Sequence, residues 1–67
     1  SLGNPGETRP VGEGVVELKI DYGPGYRVYY ISKGKTFVIL LAGGDKKTQN
    51  KDIARAKMLA KEIQVEG

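Results

Sequence analysis

From Val16 to Tyr22 the chain alternates without interruption. Val16, Leu18, Ile20 and Tyr22 fall on one side; Glu17, Lys19 and Asp21 fall on the other. A period of two is the pattern of a strand with one covered face, and it predicts a strand over 15–22. Two further runs, YRVYYIS (26–32) and KTFVILLA (35–42), are rich in β-branched and aromatic residues. GPG at 23–25 and KG at 33–34 separate the three runs, and both are turn signals. The third run is apolar on both faces, as expected of a well-covered strand. After GGDKK (43–47), read as a loop, residues 48–64 carry an apolar stripe at helical spacing: Ile53, Ala56, Leu59 or Ala60, and Ile63. Thr48 is placed to cap that helix and Asp52 to suit its dipole. Lys51, Arg55, Lys57 and Lys61 lie largely off the stripe. The predicted fold class is α+β: a three-stranded antiparallel sheet of two hairpins followed by a C-terminal helix. Residues 1–14 hold four glycines and two prolines; having no period, they read as a linker or loop. The folded core is thus expected over 15–67.

The hairpins can be registered. With Tyr22 and Tyr26 flanking the first turn, Asp21 faces Arg27, Lys19 faces Tyr29 and Ile20 faces Val28. With Ser32 and Lys35 flanking the second, Tyr30 faces Phe37 and Val28 faces Ile39. One side then carries Val16, Leu18, Ile20, Tyr26, Val28, Tyr30, Phe37, Ile39 and Leu41, the expected core. On that expectation, Tyr30→Ala or Ile39→Ala costs about 2–5 kcal/mol. The other side carries Glu17, Lys19, Asp21, Arg27 and Tyr29 beside Val38 and Leu40. The alanine-rich stripe is too narrow to cover the apolar side alone. A partner chain, a second copy forming a homodimer, or a preceding segment is expected there.

Composition limits the chemistry. The 67 residues contain no cysteine and no histidine. That removes disulfides, the usual zinc sites and the commonest general base; no metal or cofactor is expected. No apolar run approaches the roughly 20 residues of a spanning helix, and the expected location is the cytoplasm. Charge is uneven: residues 1–32 hold three Lys/Arg against four Asp/Glu, and residues 33–67 hold eight against four. Such a half permits a nucleic-acid partner; a solvated lysine face is the bland alternative.

On the mixed side, Lys19, Arg27 and Tyr29 cluster, with Lys46 and Lys47 bordering them and Lys51 nearby. Arginine forks to phosphate oxygens, lysine supplies a compact charge, and a tyrosine ring can stack on an unpaired base. Cations of this kind can also promote attack of a ribose 2′-OH on the adjacent phosphorus. The competing reading makes Arg27 and Asp21 an ordinary cross-strand ion pair. GGDKK lacks the spacing of a Walker motif.

GVVELKIDYGPGYRVYY followed by VILLAGGDKKTQNKDIARAK resembles the addiction-module killer proteins of the RelE/ParE toxin superfamily, in the branch of HigB-like and phage Gp49-like proteins. The resemblance spans about residues 10–63. It implies a toxin of a bacterial type II toxin–antitoxin system, held inactive by a cognate antitoxin and acting as a metal-independent, ribosome-dependent mRNA endonuclease. Carried over residue by residue, it implies catalytic roles for Lys19, Arg27 and Lys46, with Lys47 as the alternative to Lys46; Tyr29, Lys47 and Lys51 are the expected RNA contacts beside them. Glu17 and Ile53 stand where RelE has a lysine and a tyrosine. The alternatives within the resemblance are a ParE-like inhibitor of DNA gyrase and an inactive fragment that keeps only protein-binding surface. The family pattern begins with a helical hairpin, and residues 1–13 read as the link from it into the first strand.

Overall fold

Backbone pairing extends further toward the N-terminus than side-chain patterning suggests. The computed structural model describes residues 6–23, 25–44 and 46–66. In order they form β1 (Gly6–Gly12), β2 (Val15–Ile20), β3 (Tyr26–Lys33), β4 (Thr36–Gly43), a 3-10 turn (Lys46–Thr48) and α1 (Gln49–Glu66). The sheet is antiparallel in the order β1-β2-β3-β4. Four strands thus replace the three expected, and the linker reading of 1–14 is corrected for 6–12; its first five residues lie outside those described. GETRPVG has little strand propensity of its own. It becomes a strand because β2 offers it a free edge, from Gly6 opposite Ile20 to Gly12 opposite Val15. Pro10 is tolerated because β1 is an edge strand.

The β1–β2 turn is made by Glu13 and Gly14, with φ of 58° and 78°. Two positive φ values define the primed hairpin turn that prefers Asn-Gly or Asp-Gly. Glu13 is the one non-glycine with positive φ among the described residues, a conformation that strains an L-residue by roughly 1–2 kcal/mol. Glu13→Asn should therefore stabilise the fold by about 1 kcal/mol, raising Tm by about 4–8 °C. A thermal melt showing no gain would remove the argument.

Both hairpins sit two residues away from the expected register. Pairing stops at Ile20 opposite Tyr26, so Lys19 faces Arg27, Leu18 faces Val28 and Glu17 faces Tyr29. In the connection that follows, the Gly25 N–H donates to the Tyr22 carbonyl at 3.0 Å. In the second hairpin Lys33 faces Thr36 and Tyr30 faces Ile39. A two-residue slip leaves every side chain on its own face, whereas one residue would invert a strand. The expected grouping of residues by face therefore survives the change of partners. The exception is Leu41. An irregularity between Tyr29 and Tyr30 places Leu41 opposite Tyr29 while Ile39 stays opposite Tyr30, so Leu40 is the extra residue of a bulge. Leu41 packs with Val38 and Leu40 against the core instead of joining Ile39.

The face chosen by the helix is the one not expected. Ala56 and Ala60, both fully buried, close onto Val15, Tyr29 and Ile31 on the side that also carries Glu17 and Arg27. Two alanines one turn apart let the helix approach the sheet closely, and the flanking Ile53 and Ile63 pack beside them. The expected core face lies open. Phe37 and Ile39 are each 68% exposed, and Leu18, Val28, Tyr30, Phe37 and Ile39 line a shallow apolar groove of about 250 Å³. Tyr30 and Phe37 meet edge to face there, with ring centroids 5.6 Å apart. The large cost expected for Ile39→Ala is accordingly withdrawn: at that exposure little transfer energy is at stake. At the helix start, Thr48 immediately precedes α1, and its hydroxyl donates to the Asp52 carboxylate at 3.0 Å.

Candidate functional site

Two neighbouring cross-strand rows build the site on the helix side of the sheet. One row runs Arg9, Glu17, Tyr29, Leu41; the next runs Glu7, Lys19, Arg27, Gly43. The first row leads into the core and the second lies beyond it. Together with Lys46 of the 3-10 turn and Gln49 of α1, residues of these rows line a cleft of about 730 Å³. A second depression of about 460 Å³, beside Asp21, Tyr22, Gly23 and Gly25, shares Lys19, Arg27 and Lys46 with it. These three cations therefore stand where the two depressions meet.

Arg27 is held in an unusual state. It is 8% exposed, and its Nε has no hydrogen-bond partner among the described residues. The residue directly across the ladder is Lys19, not the Asp21 of the ion-pair reading. Like charges opposite one another destabilise a sheet, and a buried unpaired donor is costly. Among the described residues Lys19 pairs with Asp21, at 3.9 Å and largely exposed, an arrangement of small energetic value. Arg27 and Lys19 together thus cost stability, which is the condition of a site prepared for an anion.

Glu17 organises the adjoining row. Its Oε1 accepts from Arg9 Nε at 2.8 Å. Its Oε2 accepts from Tyr29 Oη at 3.1 Å and Gln49 Nε2 at 2.9 Å. The carboxylate is 3% exposed and joins β1, β2, β3 and α1. Burial acts to raise its pKa, but the hydrogen bonds from Arg9, Gln49 and Tyr29 and the Arg9 charge outweigh it and hold the carboxyl below its usual range. Such a group is a weak proton acceptor and a strong tether. Because the folded pKa lies below the unfolded value of about 4.3, its stabilisation is complete above that value and is lost as pH falls through the folded one. Glu17→Gln should therefore be less stable than wild type above about pH 5, with the gap closing on acidification. Urea unfolding between pH 3 and 7 reads this directly; a constant gap would refute it.

Tyr29 corrects a sequence expectation. Its ring is fully buried, so it offers no face to a base. Burial, the hydrogen bond to Glu17 and the Glu17 charge push its hydroxyl up to about 12, so it stays protonated at neutral pH and cannot serve there as a phenolate base. Lys47 and Lys51 are exposed and line neither depression. Of the six residues singled out by sequence, Lys19, Arg27 and Lys46 come together. Arg9 and Gln49 were missed. Arg9 lies in a segment without periodicity, and Gln49 is one polar residue among several at a helix start; neither carries a local signal.

A basic cleft along one side of an antiparallel sheet, closed at one end by a C-terminal helix, defines a small α+β protein built around a cationic site. The chain belongs to the phage-derived Gp49-like protein family (DUF891), whose family model matches residues 3–64. That family is associated with addiction-module killer proteins. The chain is also similar to an uncharacterized protein of Haemophilus influenzae, 54% identical over 62 residues, which covers 92% of this chain and 63% of that relative. It thus spans less than two thirds of the relative's length. No solved structure matches it. Among the described residues no helix is long and apolar enough to cross a membrane.

Proposed function

We propose that this chain is the sheet-and-helix core of a RelE/ParE-like toxin, of the HigB-like branch, in a type II toxin–antitoxin pair, and that its cleft binds and cuts mRNA on the ribosome. The observation that carries the reading is Arg27: buried, unpaired at Nε and facing Lys19 beside Lys46. Its guanidinium would take the scissile phosphate and hold the charge that grows on its oxygens. As the 2′-OH loses its proton to water and its oxygen bonds to phosphorus, the Lys19 ammonium would hold the charge that develops on that oxygen. The bond from phosphorus to the 5′ oxygen breaks, and Lys46 would protonate that oxygen. The products are a 2′,3′-cyclic phosphate and a free 5′-OH. No step requires a metal or cofactor.

The partners of this reading are mRNA in the ribosome and an antitoxin that silences the toxin in the cytoplasm. The open apolar face is assigned to a homodimer contact: sedimentation should give a dimer that Phe37→Asp converts to a monomer, and a monomeric wild type would remove that contact. The nuclease reading is tested by expression followed by primer extension on cellular mRNA. Cuts that vanish when translation initiation is blocked are expected. DNA breaks without mRNA cuts would replace this reading with gyrase inhibition.

A further inference from the structure

The Arg9–Glu17 pair is asymmetric in a way that a surface ion pair is not. Glu17 is buried, its side chain 4% exposed, whereas that of Arg9 is 59% exposed. Arg9 engages the carboxylate through Nε alone, so its two terminal amino groups stay outside the pair. Glu17 in turn cannot follow Arg9, because Tyr29 and Gln49 hold its second oxygen from β3 and α1. The guanidinium is therefore anchored at its inner edge to the rigid part of the fold and presents its outer edge at the wall of the cleft. An arginine with its fork pre-oriented binds phosphate oxygens with little further loss of freedom. Arg9 on β1 lies one row along the sheet, about 7 Å for two residues of strand, and one strand across, about 4.8 Å, from Lys19 on β2, with Arg27 on β3 one strand further. That places a second cationic centre beside the first along one continuous groove.

We propose that Arg9 binds a second backbone phosphate, neighbouring the one held at Arg27, and that Glu17 is a positioning residue that aims it. The proposal rests on the RNA reading for the identity of the polyanion, but the phosphate site itself does not. Glu17 is no proton acceptor here: both its oxygens are occupied, and the exposed Arg9 edge separates it from solvent on the β1 side.

The test is binding of a short single-stranded oligoribonucleotide by fluorescence anisotropy over a series of salt concentrations, with tripolyphosphate binding followed by NMR alongside. Arg9→Ala should weaken oligonucleotide binding several-fold and reduce the slope of log K against log salt by about 0.7, the loss of one single-strand phosphate contact. Arg9→Lys should restore the slope but only part of the affinity. Glu17→Gln discriminates by sign. If Glu17 were merely a negative charge in the cleft, removing it would tighten binding; as a positioning residue, its removal weakens binding. NMR spectra of each variant report whether the fold is kept, and the slope change at Arg9, an exposed edge residue, does not depend on the Glu17 variant. Unchanged affinity and slope in Arg9→Ala, with binding lost in Arg27→Ala, would overturn this proposal and leave the RNA reading standing. Tripolyphosphate binding that needs Arg9, with no oligonucleotide binding, would support the phosphate site and overturn the RNA reading. Binding of neither probe overturns both, and tighter binding by Glu17→Gln removes the positioning role.

Discussion

Arg27→Ala should lower ribosome-dependent mRNA cleavage by about 10²-fold or more, while Arg27→Met should make the protein more stable. The two effects have opposite signs for one reason. In the absence of an anion, Arg27 is buried beside Lys19 with Nε unpaired. Its Nε has lost hydration without gaining a partner among the described residues, and its charge repels the lysine across the ladder. Methionine matches much of its length, fills the same space and removes both penalties. A gain of about 1–2 kcal/mol is expected, within the range seen when buried charges give way to apolar side chains. Bound phosphate would reverse this balance by supplying the missing acceptor. Parallel melts and cleavage assays on the same preparations decide the matter. A loss of stability in Arg27→Met would mean that the guanidinium is a structural element, and the site argument would fall with it.

Tyr29→Ala should be the most damaging single change to the fold. The ring is fully buried between β3 and α1, packed with Val15, Ile31, Ala56 and Ala60. Truncating such an aromatic costs about 3–5 kcal/mol. A domain of 67 residues has only about 3–10 kcal/mol in total, so the variant should be largely or wholly unfolded at room temperature. Tyr29→Phe isolates the hydroxyl: it keeps the ring but removes one of three donors to Glu17, and should cost about 1–2 kcal/mol. The neighbour provides the control. Tyr30 points to the open face against Phe37 and Ile39, so in the monomeric Phe37→Asp background Tyr30→Ala should be clearly milder. Urea titrations in that background showing Tyr30→Ala as harmful as Tyr29→Ala would mean that the core does not lie on the helix side alone.

Much of this was legible along the chain. Alternation from Val16 to Tyr22 and the β-rich runs after it specify two hairpins, and the alanine–isoleucine stripe specifies a helix. The same alternation assigns Lys19 and Arg27 to one face, and their direct pairing agrees with that assignment even though both hairpin registers differ by two residues from the expected ones. The resemblance to addiction-module killer proteins was visible in the same residues and accords with the family match over 3–64. Tyr29 was misread because its polar neighbours on the face suggested solvent. A tyrosine with its ring in the core and its hydroxyl on a buried carboxylate satisfies the same pattern.

What the sequence determined by itself is parity and periodicity: which side chains travel together, where the helix lies, and that no cysteine or histidine chemistry is available. Those properties are local, and a two-residue shift cannot change them. Only the tertiary structure decided which face the helix covers, that residues 6–12 join the sheet, and that Arg9 and Gln49 converge on Glu17. Each of those depends on contacts between residues far apart in the chain. A strand such as β1 owes its conformation to the free hydrogen-bonding groups of its neighbour, and such an edge leaves no mark in the side chains that come to occupy it.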